Sequence, residues 1–324
     1  MEIRQLRYFV AIVECGSLSR AAAVLHVVQS ALSQQMSQLE EDLGTTLLLR
    51  SVRGVQVTEA GSVFFLHAQA ILKQVENARH ALPGTDSAVR GTVAVGMPNG
   101  TAIVMASKFL TNFVARFPHI QVTIVEAPSQ QLTEMVAAGK LDFSFLYHTN
   151  PLHGFETESL LSEPLCLLSQ MPPVKSGCIR SSSATVKMES VELSELAQMP
   201  LILPGRANAT RTLLEAACRK SDATLSIVAE VTSLNTLLAC VKAGLGGAVL
   251  TAANVAKLAD MPVQCCTVRV IEPRVERFTI MARSRDYPFT QAADAAYASA
   301  RETAIEMVVF GDWPGGRVAT QSKG

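Results

Sequence analysis

The sequence is poor in the features that mark catalysis, metal binding or export. Its 324 residues include seven cysteines, at 15, 166, 178, 218, 240, 265 and 266, and no two stand at CxxC spacing. Neither a zinc site nor a disulfide framework is signalled. Cys265 and Cys266 read as small apolar residues in or beside a strand, because reactivity needs thiolate stabilisation that adjacency alone does not supply. The six histidines are dispersed without metal spacing, no GxGxxG follows a strand, and neither GxSxG nor a P-loop occurs. No metal or cofactor is therefore expected, and an α/β enzyme is disfavoured. His26 and His67 read as structural. No apolar run approaches the ~20 residues that span a bilayer, and the opening MEIRQLRYFVAIVECG is broken by charges and lacks a signal-peptide pattern. The expectation is a cytoplasmic protein with no membrane association. Trp313, the only tryptophan, reads as a local anchor or an exposed residue.

An excess of positive charge is also missing. Lysine and arginine number 28 against 28 aspartates and glutamates, and residues 1–82 balance too. Strong nonspecific attraction to a polyanion is excluded, so any nucleic-acid binding must come from placed contacts and from dimerisation. What is present is apolar mass: 48% hydrophobic residues and only 17% charged. That excludes disorder as the general state, and the length implies two or three domains.

Ser17–Leu43, SLSRAAAVLHVVQSALSQQMSQLEEDL, is where the placed contacts can come from. Leu32, Met36, Leu39 and Leu43 step by four, three and four, one stripe of a helix. Ser30, Ser33, Gln34, Ser37 and Glu41 fall on the other side. Short hydroxyls and carboxamides reach a groove floor without filling it. Upstream, Leu6, Phe9, Val10 and Val13 stripe a first helix over 4–14, with Gly16 at its end. Ser17 or Ser19 can cap a second helix that ends near Leu25. After Gly44, Leu47–Leu49 and Val55–Val57 form two short β-type runs around Ser51-Val52-Arg53-Gly54. Arg50 and Arg53 sit at or near that turn, placed to reach phosphates or a minor groove. The expectation is a winged helix-turn-helix over 1–58.

Thr58-Glu59 then opens a long helix. Phe64, Ala68, Ile71, Val75, Ala78 and Leu82 step by four and three, a heptad seam that predicts a dimerisation helix over 59–91 with the hinge PGTDS. From Thr92 short apolar runs alternate with helical stretches, which predicts α/β domains with largely parallel sheets over 92–309. LTEMVAAGKLDFSFL at 132–146 echoes LLACVKAGLGGAVLT at 237–251. Two similar lobes facing one another across a cleft follow. Residues 289–309 read as a last helix and 310–324 as a disordered tail.

The segment LRYFVAIVECGSLSRAAAVLHVVQSALSQQMSQLEEDLGTTLLLRSVRGVQVTEAG resembles the LysR-type transcriptional regulators. YFVAIVE, AAAVLHV, ALSQQ and RGVQVTEAG look most like the nitrogen assimilation control branch. The resemblance implies a winged helix-turn-helix, a linker-helix dimer that usually assembles into a tetramer, and a two-lobed effector domain like a periplasmic binding protein. It implies a regulator of transcription in contact with double-stranded DNA; activator and repressor both stay open, the activator reading adding RNA polymerase as a partner. Gln29, Ser30, Ser33, Gln34 and Ser37 then face DNA from the third helix, and Arg50 and Arg53 from the wing. Two positions depart from the family pattern: Ser30 stands where proline is usual, and Leu48 where an aromatic is frequent. The resemblance places a ligand between lobe I (92–161 with 270–309) and lobe II (162–269). Asn99, Gly100, Thr101 and Ser129 mark helix starts in lobe I, and Thr232 and Ser233 one in lobe II. Backbone N–H groups and hydroxyls there favour an anionic small molecule, to which His148 and Arg206 add charge. A redox-sensing regulator and a small-molecule-binding protein without a DNA role are the competing readings.

Overall fold

The computed structural model describes residues 1–51, 54–80, 89–147, 152–170, 189–206, 208–258 and 266–319. Arg53, Leu82, His148, Cys178 and Cys265 lie outside them, as does the side chain of Arg50.

Three helices open the chain: α1 (Ile3–Cys15), α2 (Leu18–Val24) and α3 (Gln29–Leu43). Gly16 and Gly44 close α1 and α3 in the left-handed conformation, and the Ser17 side chain caps α2 by accepting the Arg20 N–H. Leu6, Phe9 and Ile12 of α1 meet Ala21 and Ala22 of α2 and Leu32, Met36 and Leu39 of α3 in one buried core. The apolar stripes therefore face inward, and each helix keeps a polar outer face. A two-stranded antiparallel wing follows, β1 (Leu48–Ser51) with β2 (Gly54–Val57). Thr58 opens α4 (Glu59–His80), its Oγ accepting the Gly61 N–H at 2.9 Å.

The remainder comprises two lobes built on one plan. Lobe I runs β3 (Gly91–Met97), α5 (Asn99–Arg116), β4 (Ile120–Glu126), α6 (Ser129–Ala137) and β5 (Phe143–Tyr147). The long strand β6 (Phe155–Gln170) leads on to β7 (Glu189–Glu192) and α7 (Leu193–Ala197). Lobe II then repeats the order with β8 (Pro200–Leu203), α8 (Ala209–Lys220), β9 (Ser226–Glu230), α9 (Leu234–Lys242) and β10 (Gly247–Thr251). After α10 (Ala252–Leu258) come β11 (Cys266–Glu272), β12 (Glu276–Ser284), α11 (Gln291–Val309) and β13 (Arg317–Val318). The strand order is β4-β3-β5-β12-β6-β10-β8-β9. β3 runs parallel to β4 and β5, as β8 does to β9 and β10, whereas β6 and β12 pair antiparallel.

The echo in the sequence is thus the α6–β5 unit of one lobe and the α9–β10 unit of the other. Gly139 (φ 68°) and Gly244 (φ 75°) each end the helix in the left-handed conformation before the strand begins. β6 is the shared spine. Its first part pairs with β12 of lobe I, and Leu165–Gln170 pair with β10 and β11 of lobe II. The return crossing lies between β11 and β12, so residues 270–272, expected in lobe I, belong to the sheet of lobe II. The first half of β6 and the short strands β7 and β13 carry no clean alternation and were not legible as strands. The tail also differs from expectation. Residues 310–319 are ordered, with Trp313 2% exposed and β13 paired on β6. No helix among the described residues is long and apolar enough to cross a membrane.

Candidate DNA interface and effector cleft

Burial of Leu32, Met36 and Leu39 turns Gln29, Ser30, Gln34 and Ser37 outward, with Ser33 at the edge of the exposed face. The residue at the N-cap of α3 is Val28, which supplies no side-chain cap. Ser30 lies in the first turn rather than at the cap, so the capping role open to it in place of proline is not used. The first N–H groups of α3 carry the positive end of the helix dipole at an outward-facing terminus, an arrangement that suits a phosphate. The Ser19 hydroxyl donates to Gln29 Oε1 at 2.9 Å and ties α2 to this terminus.

Glu40 fixes the wing to α3. Its Oε1 accepts the Leu47 and Leu48 N–H groups at 2.8 and 3.0 Å. Val55 N–H donates to Gly16 O at 3.0 Å, holding the second wing strand against the end of α1. The other α3 acids are drawn aside: Gln38 Nε2 donates to Glu41 and Asp42, and the N-terminal ammonium pairs with Asp42 at 3.1 Å. The polar face is thereby left without a carboxylate of its own helix at its centre. Leu48, in place of the frequent aromatic, is 4% exposed and packs in the same core.

The linker helix departs from the expected seam. Phe64 lies edge-to-face on Phe9 at 5.2 Å, and Ala68 is fully buried in the N-terminal core. Ala68 therefore has no surface to offer a partner helix, because α4 needs that stripe to pack on α1. The exposed apolar residues of α4 are Val63 and Leu66, off that stripe, and Ile71, farther along the stripe and outside the N-terminal core. Ile71, Val75 and Ala78 line an open groove of about 340 Å³ with His67, Ala70, Gln74 and Tyr287. Farther along, Lys73 Nζ pairs with Asp142 at 3.1 Å and donates to Lys140 O at 3.1 Å, docking α4 on lobe I. Burial pushes the Lys73 amine down, and Asp142 offsets part of that shift.

In both lobes the parallel strands end at the junction between them, and the helices that follow begin there. The predicted ligand residues split into two groups. Asn99 at the start of α5, Arg206 in the loop before α8, and Thr232 and Ser233 just before α9 lie exposed. Gly100, Thr101 and Ser129 instead serve the protein itself. Asn254 Nδ2 of α10 donates to Gly100 O at 2.7 Å, Thr101 Oγ1 to Tyr147 Oη at 3.0 Å, and Tyr147 N–H to Ser129 Oγ at 3.0 Å. Ser233 caps α9 by accepting the Thr236 N–H at 3.4 Å.

Where the two lobes meet lies a buried charged cluster that no motif announced. Arg277 pairs with Glu163 at 2.9 Å, with side chains only 5% and 1% exposed. The same guanidinium donates to Thr210 at 3.4 Å and Thr251 at 3.3 Å, both of lobe II, and stacks on the Tyr147 ring of lobe I at 4.0 Å. Burial opposes the Arg277 charge, but Tyr147 and Glu163 outweigh it and hold the group charged. Burial likewise pushes the Tyr147 phenol up. Glu163 Oε1 accepts the Trp313 indole N–H at 2.8 Å. On the lobe II side Arg211 pairs with Glu215 at 2.8 Å and Glu230 at 2.5 Å. The available signal was a charge inside an apolar strand run, Glu163 in LLSEPLCLL and Arg277 in ERFTIMA. Such a charge must find a buried partner.

Family comparisons cover both parts of the chain. Residues 3–62 match the family described as bacterial regulatory helix-turn-helix protein, lysR family, and residues 86–304 match the LysR substrate binding domain. The chain is 36% identical over 251 residues to the nitrogen assimilation regulatory protein nac of Klebsiella aerogenes, covering 77% of this chain and 78% of that protein. It is 32% identical to the HTH-type transcriptional regulator BbuR of Bordetella bronchiseptica, covering 78% and 74%. Among solved structures, a full-length OxyR variant from Pseudomonas aeruginosa is similar at TM-score 0.72 and 23% identity, covering 100% of this chain and 99% of that one. Full-length CbnR complexed with its target DNA is similar at TM-score 0.66 and 23% identity, covering 94% and 100%. At these identities the structures bear on the fold alone.

Proposed function

Because the chain belongs to the LysR family of DNA-binding transcriptional regulators, which are not enzymes, we propose that it reads a two-fold-related DNA site with paired copies of α3. The observation that carries this reading is the outward row Gln29, Ser30, Ser33, Gln34 and Ser37 beside the wing. The carboxamides select base edges in the major groove, and the open α3 N-terminus and wing arginines Arg50 and Arg53 hold phosphates. The balanced charge of the chain makes a second half-site necessary for tight binding. Dimerisation uses the α4 face at Ile71, Val75 and Ala78, and a tetramer forms from two such dimers. As an activator, the assembly contacts RNA polymerase.

The effector is a small anionic metabolite held at the cleft rim. Support comes from Arg206, Asn99, Thr232 and Ser233 on facing strand ends and from the helix starts among them. The likeness to the nitrogen assimilation regulatory protein suggests a metabolite of nitrogen or amino-acid metabolism. The redox alternative finds little support in the fold: burial pushes the Cys166 thiol up to about 12 and raises that of Cys218, away from the reactive thiolate. Genome-wide footprinting tests the proposal. Paired half-sites upstream of genes for nitrogen or amino-acid metabolism are expected, with occupancy shifted by the matching metabolite. Dispersed single contacts with no recurring sequence would refute it.

A further inference from the structure

The segment after α11 is attached to the effector domain at four places. Asp312 pairs with Lys108 of α5 at 2.5 Å. Trp313 is 2% exposed and directs its indole N–H at Glu163. Arg317 and Val318 pair with Ser162 and Leu161 of β6, and Ala319 N–H donates to Leu160 O at 3.0 Å. Between these anchors Gly315, in the left-handed conformation, passes so close to α10 that an added Cβ would stand 3.3 Å from that of Ala252. The family match ends at residue 304, within α11 and ahead of this segment.

Its point of contact matters more than its length. Glu163 sits on the spine strand where pairing passes from lobe I to lobe II. One carboxylate oxygen accepts from Trp313, and the other pairs with Arg277. Arg277 in turn touches Tyr147 of lobe I and Thr210 and Thr251 of lobe II. Asn254, three residues beyond Thr251, reaches across to Gly100 and also receives the Thr251 hydroxyl at 3.1 Å. An indole N–H that holds one carboxylate oxygen fixes the direction of the other, and a buried carboxylate tolerates little reorientation without a new partner.

We propose that residues 310–319 form a strap that sets the angle between the lobes: Trp313 orients Glu163, Glu163 holds Arg277, and Arg277 grips both lobes. Opening of the cleft and release of Trp313 are then one event, whatever ligand the rim binds. Because the chain has a single tryptophan, its fluorescence reports that event directly.

Hydrogen exchange on the full-length protein tests the strap. Trp313→Phe keeps an aromatic ring in place and removes the N–H. Loss of a hydrogen bond to a buried charge predicts roughly ten-fold or greater loss of protection at residues 98–102 of lobe I and at residues 250–255, which pass from β10 of lobe II into α10 at the junction, with β4 and β9 unchanged. Asp312→Ala, which removes only an exposed ion pair, is expected to leave those segments as they were. Protection lost in Trp313→Phe only at 305–319 would make the segment a local cap and overturn the proposal. Should Trp313→Phe not fold, the wild-type protein in increasing sub-denaturing urea decides. The strap requires acrylamide quenching of Trp313 to rise in step with exchange at 98–102. Quenching that rises while those amides stay protected would overturn it.

Discussion

Arg277→Met is the most informative change in the effector domain. It removes the 2.9 Å pair with Glu163, two hydroxyl contacts with lobe II and the cation–π contact with Tyr147, while keeping an unbranched side chain of similar length. Glu163 is left 1% exposed with Trp313 as its remaining side-chain partner. Removing one member of a buried pair costs about 3–5 kcal/mol, because the other charge stays behind without compensation. An exposed pair such as Arg116–Glu302, at 64% and 59% exposure, is worth only about 0–1 kcal/mol. With a urea dependence of about 1–3 kcal/mol per M, the expected loss lowers the effector-domain midpoint by at least about 1 M. The assay is equilibrium unfolding in urea at fixed protein concentration, followed in parallel by Trp313 fluorescence and by circular dichroism. The double variant Arg277→Met/Glu163→Leu removes both charges and is expected to recover most of the loss. A single variant within about 1 kcal/mol of wild type would mean the pair is solvated. A double variant no more stable than the single one would equally refute the reasoning.

Two further changes and one labelling experiment probe other parts of the molecule. Ile71→Asp places a charge on the exposed α4 face and should halve the mass of the smallest assembly in sedimentation equilibrium; an unchanged mass would remove α4 from the dimer interface. Lys73→Met strips Asp142 of its ion pair and should cost about 1–3 kcal/mol, read as faster exchange of the Ala94 amide that Asp142 also holds. Cys166, its thiol pushed up to about 12, should resist alkylation in the folded protein near pH 8 and react in urea. Because its folded value lies above the ~8.5 of an unfolded cysteine, its contribution to stability is present below about pH 8.5. That contribution is lost as pH rises toward 12.

The parts of this fold that were legible in the sequence are those whose side chains repeat. Leu32, Met36 and Leu39 announced α3, and the paired Ala-Gly stops announced the two lobes. Periodicity says which stripe is apolar but not what covers it, so Phe64 and Ala68 read as a seam for a partner although α1 claims them. Pairings distant in sequence do not name their partners. Glu163 and Arg277 are 114 positions apart, and each stands in an apolar run that calls for a buried partner without saying which. Trp313 sits among prolines and glycines that resemble a disordered tail. It is held by an indole N–H on a buried carboxylate 150 positions earlier, by the Lys108–Asp312 pair and by the pairing of β13 on β6. Asn99, Arg206, Thr232 and Ser233 were named through the resemblance and stand exposed, whereas Thr101 and Ser129 are occupied in holding Tyr147.

The claim on which the rest depends is that the polar face of α3 reads bases. The most direct measurement is the affinity of full-length protein and of Gln34→Ala for a footprinted site and for unrelated DNA, each at several salt concentrations. Loss of a bidentate base contact predicts specific binding weaker by about 1–3 kcal/mol per half-site, with nonspecific affinity and salt slope unchanged. Equal weakening on both DNAs, or none on either, would contradict the account.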